Sequence, residues 1–492
     1  MIKLNNKLLN KNIQSSNSLA FSSLKIIVNV FFPFLLIPYI SRIFSVEEIG
    51  VYNWYLSIIG YMMLFSGLSL PIIGMKEIGK NKNNKEKIQD IINNIFIIRV
   101  FITIALFLLL YLTIYLFDFQ YNNLFIILSF IVIGEVFSHE WVYIALGDNK
   151  SILFRTFLSK ILLLLLTYYF VKNNDDFTIF IYIYTICAIL PFIIGYKYLF
   201  EVFKPNIRAL NLDYFNLSTG KSFLLTFLMS FYGKLDLIIL GFILSAKELG
   251  LISSAYKLIS MSLVFITTWS MVLLSKSSEL HSKSVAKFID FINKTMDLVL
   301  VFSLFLVVIL ELYSENIVLL IFGEKFYDTF YMIDYLAPLI VLISLYNVLV
   351  FQVLYINNHY NDILKFFSLM YILFISLILF FNTDVYSLLK IILVMNILQL
   401  IFTVTLVRKH YDISMFNVNK LKIYLTFSLT IIIFYMIKNY FNFSEIIVLI
   451  IFIMTSIFYF SLLLILKEEI TTMIYNKFFK GLKKGRILIL VQ

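Results

Sequence analysis

Residues 91–117 read IINNIFIIRVFITIALFLLLYLTIYLF, and between Arg99 and Asp118 this stretch carries no charged residue. A helix crosses the hydrocarbon of a bilayer with about 20 apolar residues, and within lipid it satisfies its own main-chain hydrogen bonds. The stretch therefore predicts a membrane-spanning helix. The rest of the chain has the same character. Of its 492 residues 61% are hydrophobic and 14% charged, and its mean hydropathy is +0.93. A soluble domain holds roughly 45–50% apolar and 25% charged residues. The excess cannot be hidden inside a globule, which still needs a polar surface. Most of this surface faces lipid. With 15 Gly and 6 Pro, the chain has few loops and no low-complexity linker.

The same criterion gives spans near 17–40, 51–75, 91–117, 122–146, 152–171, 177–200, 219–244, 251–275, 295–313, 330–356, 363–381, 385–407, 421–440 and 444–466. The expected fold class is an all-α integral membrane protein of about fourteen transmembrane helices, arranged as two parallel six-helix lobes plus two extra C-terminal helices. In this division residues 1–16 are a cytoplasmic N-terminal segment and 17–200 an N-lobe. A linker at 201–218 leads to a C-lobe at 219–407, then to the last two spans within 421–466 and a basic tail at 467–492.

The net charge of +11 does not indicate nucleic acid, because the basic residues lie between apolar runs and not on one amphipathic face. Basic and non-basic loops alternate. Lys3, Lys7 and Lys11, the segment from Lys76 to Asp90, those at Lys204–Lys221, Lys276–Lys294 and Arg408–Lys422, and the tail to Arg486 are basic. The intervening loops are short and neutral or acidic, with Glu47, Glu48, Asp118, Asp175, Asp176, Asp384 and the acids from Glu315 to Asp328. This bias places both termini in the cytoplasm. A single cysteine, Cys187, excludes an internal disulfide framework. The first apolar run is too long for a signal peptide and is expected to be the first span.

An internal repeat appears at an offset of 200 residues. Ser45-Val46-Glu47-Glu48-Ile49-Gly50-Val51 aligns with Ser245-Ala246-Lys247-Glu248-Leu249-Gly250-Leu251. Lys76 then meets Lys276, and Lys87–Asn93 meets Lys287–Asn293. The polar matches are the informative ones, because apolar identities between spans arise by chance. Six spans separate the copies, so the lobes share one orientation, as in transporters whose halves rock around a central site.

Six cations fall inside predicted spans: Lys25, Arg99, Lys160, Lys234, Lys257 and Lys390. An ionisable group at the bilayer centre costs from a few to more than ten kcal/mol and usually faces a partner or a wet cavity. Lys390 is expected to snorkel to the interface. Lys25, Arg99 and Lys160 lie roughly 12 Å from the cytoplasmic side at 1.5 Å per residue. Glu135 and His139 stand one turn apart on the fourth span with Glu140 beside them, and Asp236 is placed to pair with Lys257. The candidate substrate-binding cations are thus Lys25, Arg99, Lys160, Lys234 and Lys257, and the candidate coupling or charge-pairing groups are Asp236, Glu135, His139 and Glu140. Their positive excess suits an anionic ligand. His139-Glu140 opens like a zinc-protease motif, but Tyr143 stands where the second histidine belongs. No phosphate-binding glycine loop, nucleophile elbow or cysteine metal pair is present, so no cofactor and no ATP chemistry are expected within the chain.

Several stretches carry a family resemblance. Pro38-Tyr39-Ile40-Ser41-Arg42-Ile43-Phe44, Glu48-Ile49-Gly50-Val51-Tyr52, Gly67-Leu68 and Lys76-Glu77-Ile78-Gly79-Lys80 resemble the opening of polysaccharide (O-antigen and capsule) flippases of the multidrug/oligosaccharidyl-lipid/polysaccharide exporter superfamily. Lys234–Gly241, Glu248–Leu251, Ala255–Leu258 and the Ile321–Phe326 segment are similar to later family stretches. Leu237 departs from the arginine usual there, with Lys234 as the nearby cation. The resemblance covers most of the first 360 residues. It implies two six-helix lobes around a cationic cavity and a substrate of undecaprenyl-diphosphate-linked oligosaccharide. It further implies coupling to H+ or Na+, and a groove for the polyprenyl tail at the last two spans. The bacterial inner membrane is the expected location, with membrane lipids and the polysaccharide polymerase machinery as partners. A drug or cation antiporter of the same superfamily would favour a carboxylate-rich cavity, which these residues do not supply. A glycan polymerase or ligase commonly works from a large outer loop, and the longest outer loop expected here, 314–329, is only of connector size.

Overall fold

The computed structural model describes residues 16–81, 84–117, 121–200, 235–357, 359–380, 384–440 and 445–483, and isolated positions at 220, 223, 224 and 227. Among the described residues all regular structure is helical. The chain forms two compact units, Met1–Ser253 with Ile321–Phe326, and Ser254–Leu320 with Tyr327–Gln492. The first unit holds α1 (Ser16–Ile43), α2 (Val46–Gly67), α3 (Leu70–Lys80), α4 (Lys85–Leu116), α5 (Asn122–Ser138), α6 (Glu140–Ala145), α7 (Asn149–Phe170), α8 (Phe177–Phe200) and α9 (Leu235–Ile243). The first eight residues of α10 (Ala246–Lys283) belong to it as well. The second unit continues with α11 (Val285–Ile321), α12 (Thr329–Leu336), α13 (Leu339–Asn347), a π-helical run Val348–Tyr355, α14 (Tyr360–Phe380), α15 (Val385–Arg408), α16 (Val418–Tyr440), α17 (Glu445–Ile465) and α18 (Glu469–Lys483).

Ten described helices are long and apolar enough to cross a membrane, or eleven when α2 and α3 count as one bent span. The helical membrane class is as expected, while fourteen crossings are not reached among the described residues. The expected span at 219–244 lies mostly outside them.

Three spans differ from the sequence expectation. The second is broken by 41° between α2 and α3. Leu68 and Ser69 take left-handed φ values of 42° and 59° there, and Pro71, without an N–H, sits in the first turn of α3. The fourth is interrupted at His139, whose φ of 43° ends α5 and starts α6. The short span expected at 295–313 belongs to a helix of 37 residues, α11. Its first turns carry Lys287, Asp290 and Lys294, so only its later, apolar part reads as a span.

The duplicated sequence builds the same device twice. The Ser45 hydroxyl accepts from the Glu48 N–H at 3.2 Å, and the Glu48 carboxylate accepts from the Ser45 N–H at 2.9 Å. At Ser245 and Glu248 the same two bonds measure 3.3 and 3.0 Å. These capping boxes satisfy the orphan donors that open α2 and α10. Asn84 and Ser284 likewise accept from the N–H groups of Lys87 and Lys287. The two copies also touch within the first unit. A Cβ on Gly50 would lie 2.5 Å from the Ala246 carbonyl oxygen and 2.6 Å from the Gly250 nitrogen, so only glycine permits this approach of α2 to the start of α10. One turn on, the Asn53 amide donates to the Ser253 hydroxyl at 3.0 Å, both groups buried.

In the second unit α11 is the organising helix, most of its apolar stretch being buried. The last two spans are pinned to it. The Tyr459 hydroxyl donates to the Val301 carbonyl at 2.9 Å, and Tyr313 and Thr455 share a hydroxyl bond of 2.6 Å. At the other end Lys420 pairs with Asp297 at 3.3 Å, both sealed from solvent. The Asn419 amide donates to Asp297 at 2.7 Å and to Glu468 at 2.9 Å.

Candidate functional site

The charges of the first unit gather where α5 breaks into α6. Arg99, on α4, is 2% exposed. Its Nη2 lies 3.6 Å from the Glu135 carboxylate and donates to the Glu135 carbonyl at 3.2 Å. A buried cation needs such a partner, because lipid and protein leave its desolvation uncompensated otherwise. His139 follows in the left-handed conformation, a strain of about 1–3 kcal/mol for a non-glycine residue. Its Nδ1 stands 3.0 Å from the Phe137 carbonyl, and its ring sits against Phe96 and Tyr196 at centroid distances of 5.3 and 5.7 Å. Glu135 and His139 are therefore not carried on one continuous helical face as the spacing predicts; the break turns the histidine into an aromatic nest.

Glu140 opens α6, where the helix dipole favours a carboxylate. It forms an ion pair with Lys25 of α1. Glu135 also feels Glu140 and Lys25, so the two pairs are electrostatically continuous.

Arg155, on α7, is a functional candidate that the sequence reading passes over. It is 5% exposed, and its guanidinium lies over the Tyr143 ring at 4.5 Å. The Tyr143 hydroxyl donates to the Gly195 carbonyl at 2.7 Å. Gly195 has no side chain to obstruct this arrangement; a Cβ there would fall 1.6 Å from Arg155 Nη1. Nε and Nη1 of Arg155 have no hydrogen-bond partner among the described residues, and Glu140 and Asp148 are its electrostatic neighbours. Tyr143, the residue that spoils a zinc motif, is thus the platform of an arginine. The signal available in sequence was the position of Arg155 three residues inside a predicted span; its partners came from two other helices.

The cluster sets Lys25, Arg99 and Arg155 against Glu135, Glu140 and Asp148, and part of the buried Arg155 guanidinium is left without a hydrogen-bond partner among the described residues. Guanidinium groups with free donors are suited to phosphate or carboxylate oxygens. The structure thus brings together Lys25, Arg99, Glu135, His139 and Glu140. Lys160 is half-buried on α7, the helix of Arg155, with Cys187 as an electrostatic neighbour. Lys257 is half-buried on the part of α10 that belongs to the second unit. Lys234 and the Asp236 side chain lie outside the described residues. Lys390 is exposed on α15. Sequence reading also passed over the buried Asp297–Lys420 pair of the second unit.

Residues 16–281, just over half of the chain, match the polysaccharide biosynthesis protein family. An Escherichia coli (strain K12) protein named "Putative O-antigen transporter" is 23% identical over 348 residues, covering 68% of this chain and 82% of that protein. The fold is similar to that of the lipid II flippase MurJ in an inward closed conformation, with a TM-score of 0.68 at 15% identity over 94% of this chain and all (100%) of that one. It is also similar to an inward-facing multidrug resistance MATE family transporter of the MOP superfamily, with a TM-score of 0.62 at 14% identity over 78% of this chain and 94% of that one. These relatives are named as transporters and a flippase, not as enzymes. The chain, with ten described helices long and apolar enough to cross a membrane, belongs to the polysaccharide biosynthesis protein family.

Proposed function

We propose that the protein moves an undecaprenyl-diphosphate-linked oligosaccharide, a precursor of a surface polysaccharide, from the cytoplasmic to the outer leaflet by alternating access, driven by H+ or Na+. The observation that carries this reading is the cation set of Lys25, Arg99 and Arg155, the last buried with Nε and Nη1 unpartnered among the described residues, in a chain from this family. Lys160, Lys234 and Lys257 would add to it. A diphosphate needs such charge while its glycan stays in water and its lipid tail in the bilayer. The bacterial inner membrane, both termini in the cytoplasm, and work alongside a polysaccharide polymerase belong to the same reading. The MATE likeness shows the fold alone.

The test is the sidedness of labelled lipid-linked glycan in membrane vesicles with and without the gene. Glycan accumulating on the cytoplasmic leaflet only without the gene supports the reading; unchanged sidedness with normal export rejects it. In the same assay Lys25→Ala and Lys234→Ala are expected to reduce flipping at least tenfold with folded protein retained. Arg99→Lys, which keeps the charge beside Glu135, separates a binding loss from a folding loss.

A further inference from the structure

The chain leaves its last span through a tightly built corner. α17 ends at Ile465, and Lys467 turns the backbone with a left-handed φ of 53°. The side chain of Glu468, 0% exposed, then accepts from the N–H groups of Ile470 at 2.9 Å and Thr471 at 2.6 Å, capping α18. The Asn419 side-chain amide of α16 donates to the same carboxylate, and its Oδ1 accepts from the Glu469 N–H at 3.0 Å. Lys422 of α16 donates to the Lys467 carbonyl at 2.9 Å. The first turn of α18 is therefore fixed to the membrane end of the last two spans, at the depth where hydrocarbon gives way to headgroups.

From that anchor α18 runs for 15 residues with a strongly two-sided sequence. At 100° per residue, Ile470, Ile474, Phe478 and Leu482 fall along one arc with Tyr475 and Phe479. Lys477, Lys480 and Lys483 fall on the opposite arc with Asn476 and Thr472. Glu469 is the only acidic residue in the helix, and Lys294 lies 3.9 Å from it. Ile470 is buried at the corner, whereas Tyr475, on the same apolar arc, is 45% exposed. An apolar arc that starts packed at the corner and runs the length of the helix, with lysines on the opposite arc and its first turn held at interfacial depth, matches a helix lying in the plane of a bilayer.

We infer that α18 is an in-plane anchor that binds the anionic phospholipids of the leaflet on the side of the basic loops. Its apolar arc enters the acyl boundary, and its lysines meet the phosphate oxygens of the headgroups. The occupant is a lipid surface and not a partner protein because the two requirements, apolar depth and positive charge at the rim, are met by adjacent arcs of one short helix whose start is already tied to spanning helices. Near an anionic surface each basic residue contributes about fivefold in partitioning, so loss of three weakens attachment by about a hundredfold. The inference does not depend on what the protein transports, and the failure of either leaves the other standing.

The full chain tests it, with Cys187→Ser removing the native thiol and Tyr475→Cys carrying a polarity-sensitive fluorophore. It is reconstituted in phosphatidylcholine vesicles with and without phosphatidylglycerol. With phosphatidylglycerol, the emission should move to the blue and acrylamide quenching should fall severalfold. The triple variant Lys477→Gln, Lys480→Gln, Lys483→Gln should lose the shift while the triple arginine variant keeps it. Equal shielding in both lipids, shielding that survives the glutamine variant, or exposure in both would overturn the inference. So would a disulfide between copies formed by the unlabelled Cys at position 475, which would assign the arc to a second copy of the chain.

Discussion

Arg155 can lie against Tyr143 only because residue 195 has no side chain. Gly195→Ala would put a methyl group 1.6 Å from Nη1, and overpacking of this kind costs about 1–3 kcal/mol. A lowered Tm of the purified protein is expected, and Arg155→Ala should relieve it, so the double variant should be more stable than the sum of the single losses implies. A sum that is strictly additive would show that the two residues do not share the space. The Asp297–Lys420 pair gives a second residue-scale prediction. Removing one partner of a sealed ion pair costs about 3–5 kcal/mol, so Asp297→Ala should be among the most damaging changes in the second unit. Asp297→Leu with Lys420→Met should recover much of that loss in thermal unfolding. In sequence, Lys25, Arg99, Glu135, His139 and Glu140 were conspicuous because charge within an apolar run is costly. Their partners were not, since Arg99 meets Glu135 and Lys25 meets Glu140 across different helices.

At the level of the helix, local chemistry was easier to read. The paired Ser-x-x-Glu motifs at Ser45 and Ser245 became capping boxes in both copies. Ser45→Ala and Ser245→Ala should each cost about 1 kcal/mol, measurable as similar downward shifts in Tm. That Gly50 meets Gly250, and Asn53 meets Ser253, is a matter of packing that no offset of 200 residues could foretell. Asn53→Cys with Ser253→Cys in a Cys187→Ser background should cross-link under mild oxidation, seen as a reducible mobility change on a gel. On the alternating-access reading the cross-link also halts flipping until it is reduced. Absence of cross-linking in membranes would contradict the contact itself. The breaks at Leu68-Ser69 and at His139 were missed for a related reason. Pro71 was a visible helix-starting residue, but nothing around His139 is a glycine or proline, and its left-handed turn is held by surrounding aromatic rings.

For the molecule as a whole, the last two spans are structural partners of α11. A chain ending after Arg408 would remove Lys420 from Asp297, Thr455 from Tyr313 and Tyr459 from Val301. Little or no monodisperse protein is expected from it on size-exclusion chromatography, and a sharp folded peak would show that α11 packs without them. The solvent, the helical class, the internal repeat and the family resemblance could all be read along the chain. Each rests on local quantities, namely apolar length, charge between spans, and motifs at fixed spacing. Which charges are sealed in pairs, where two spans break, and that Tyr143 and Gly195 make a seat for Arg155 emerge only in the folded chain. These depend on atoms brought within a few ångströms from distant parts of the chain, and there close packing, not composition, selects the contact.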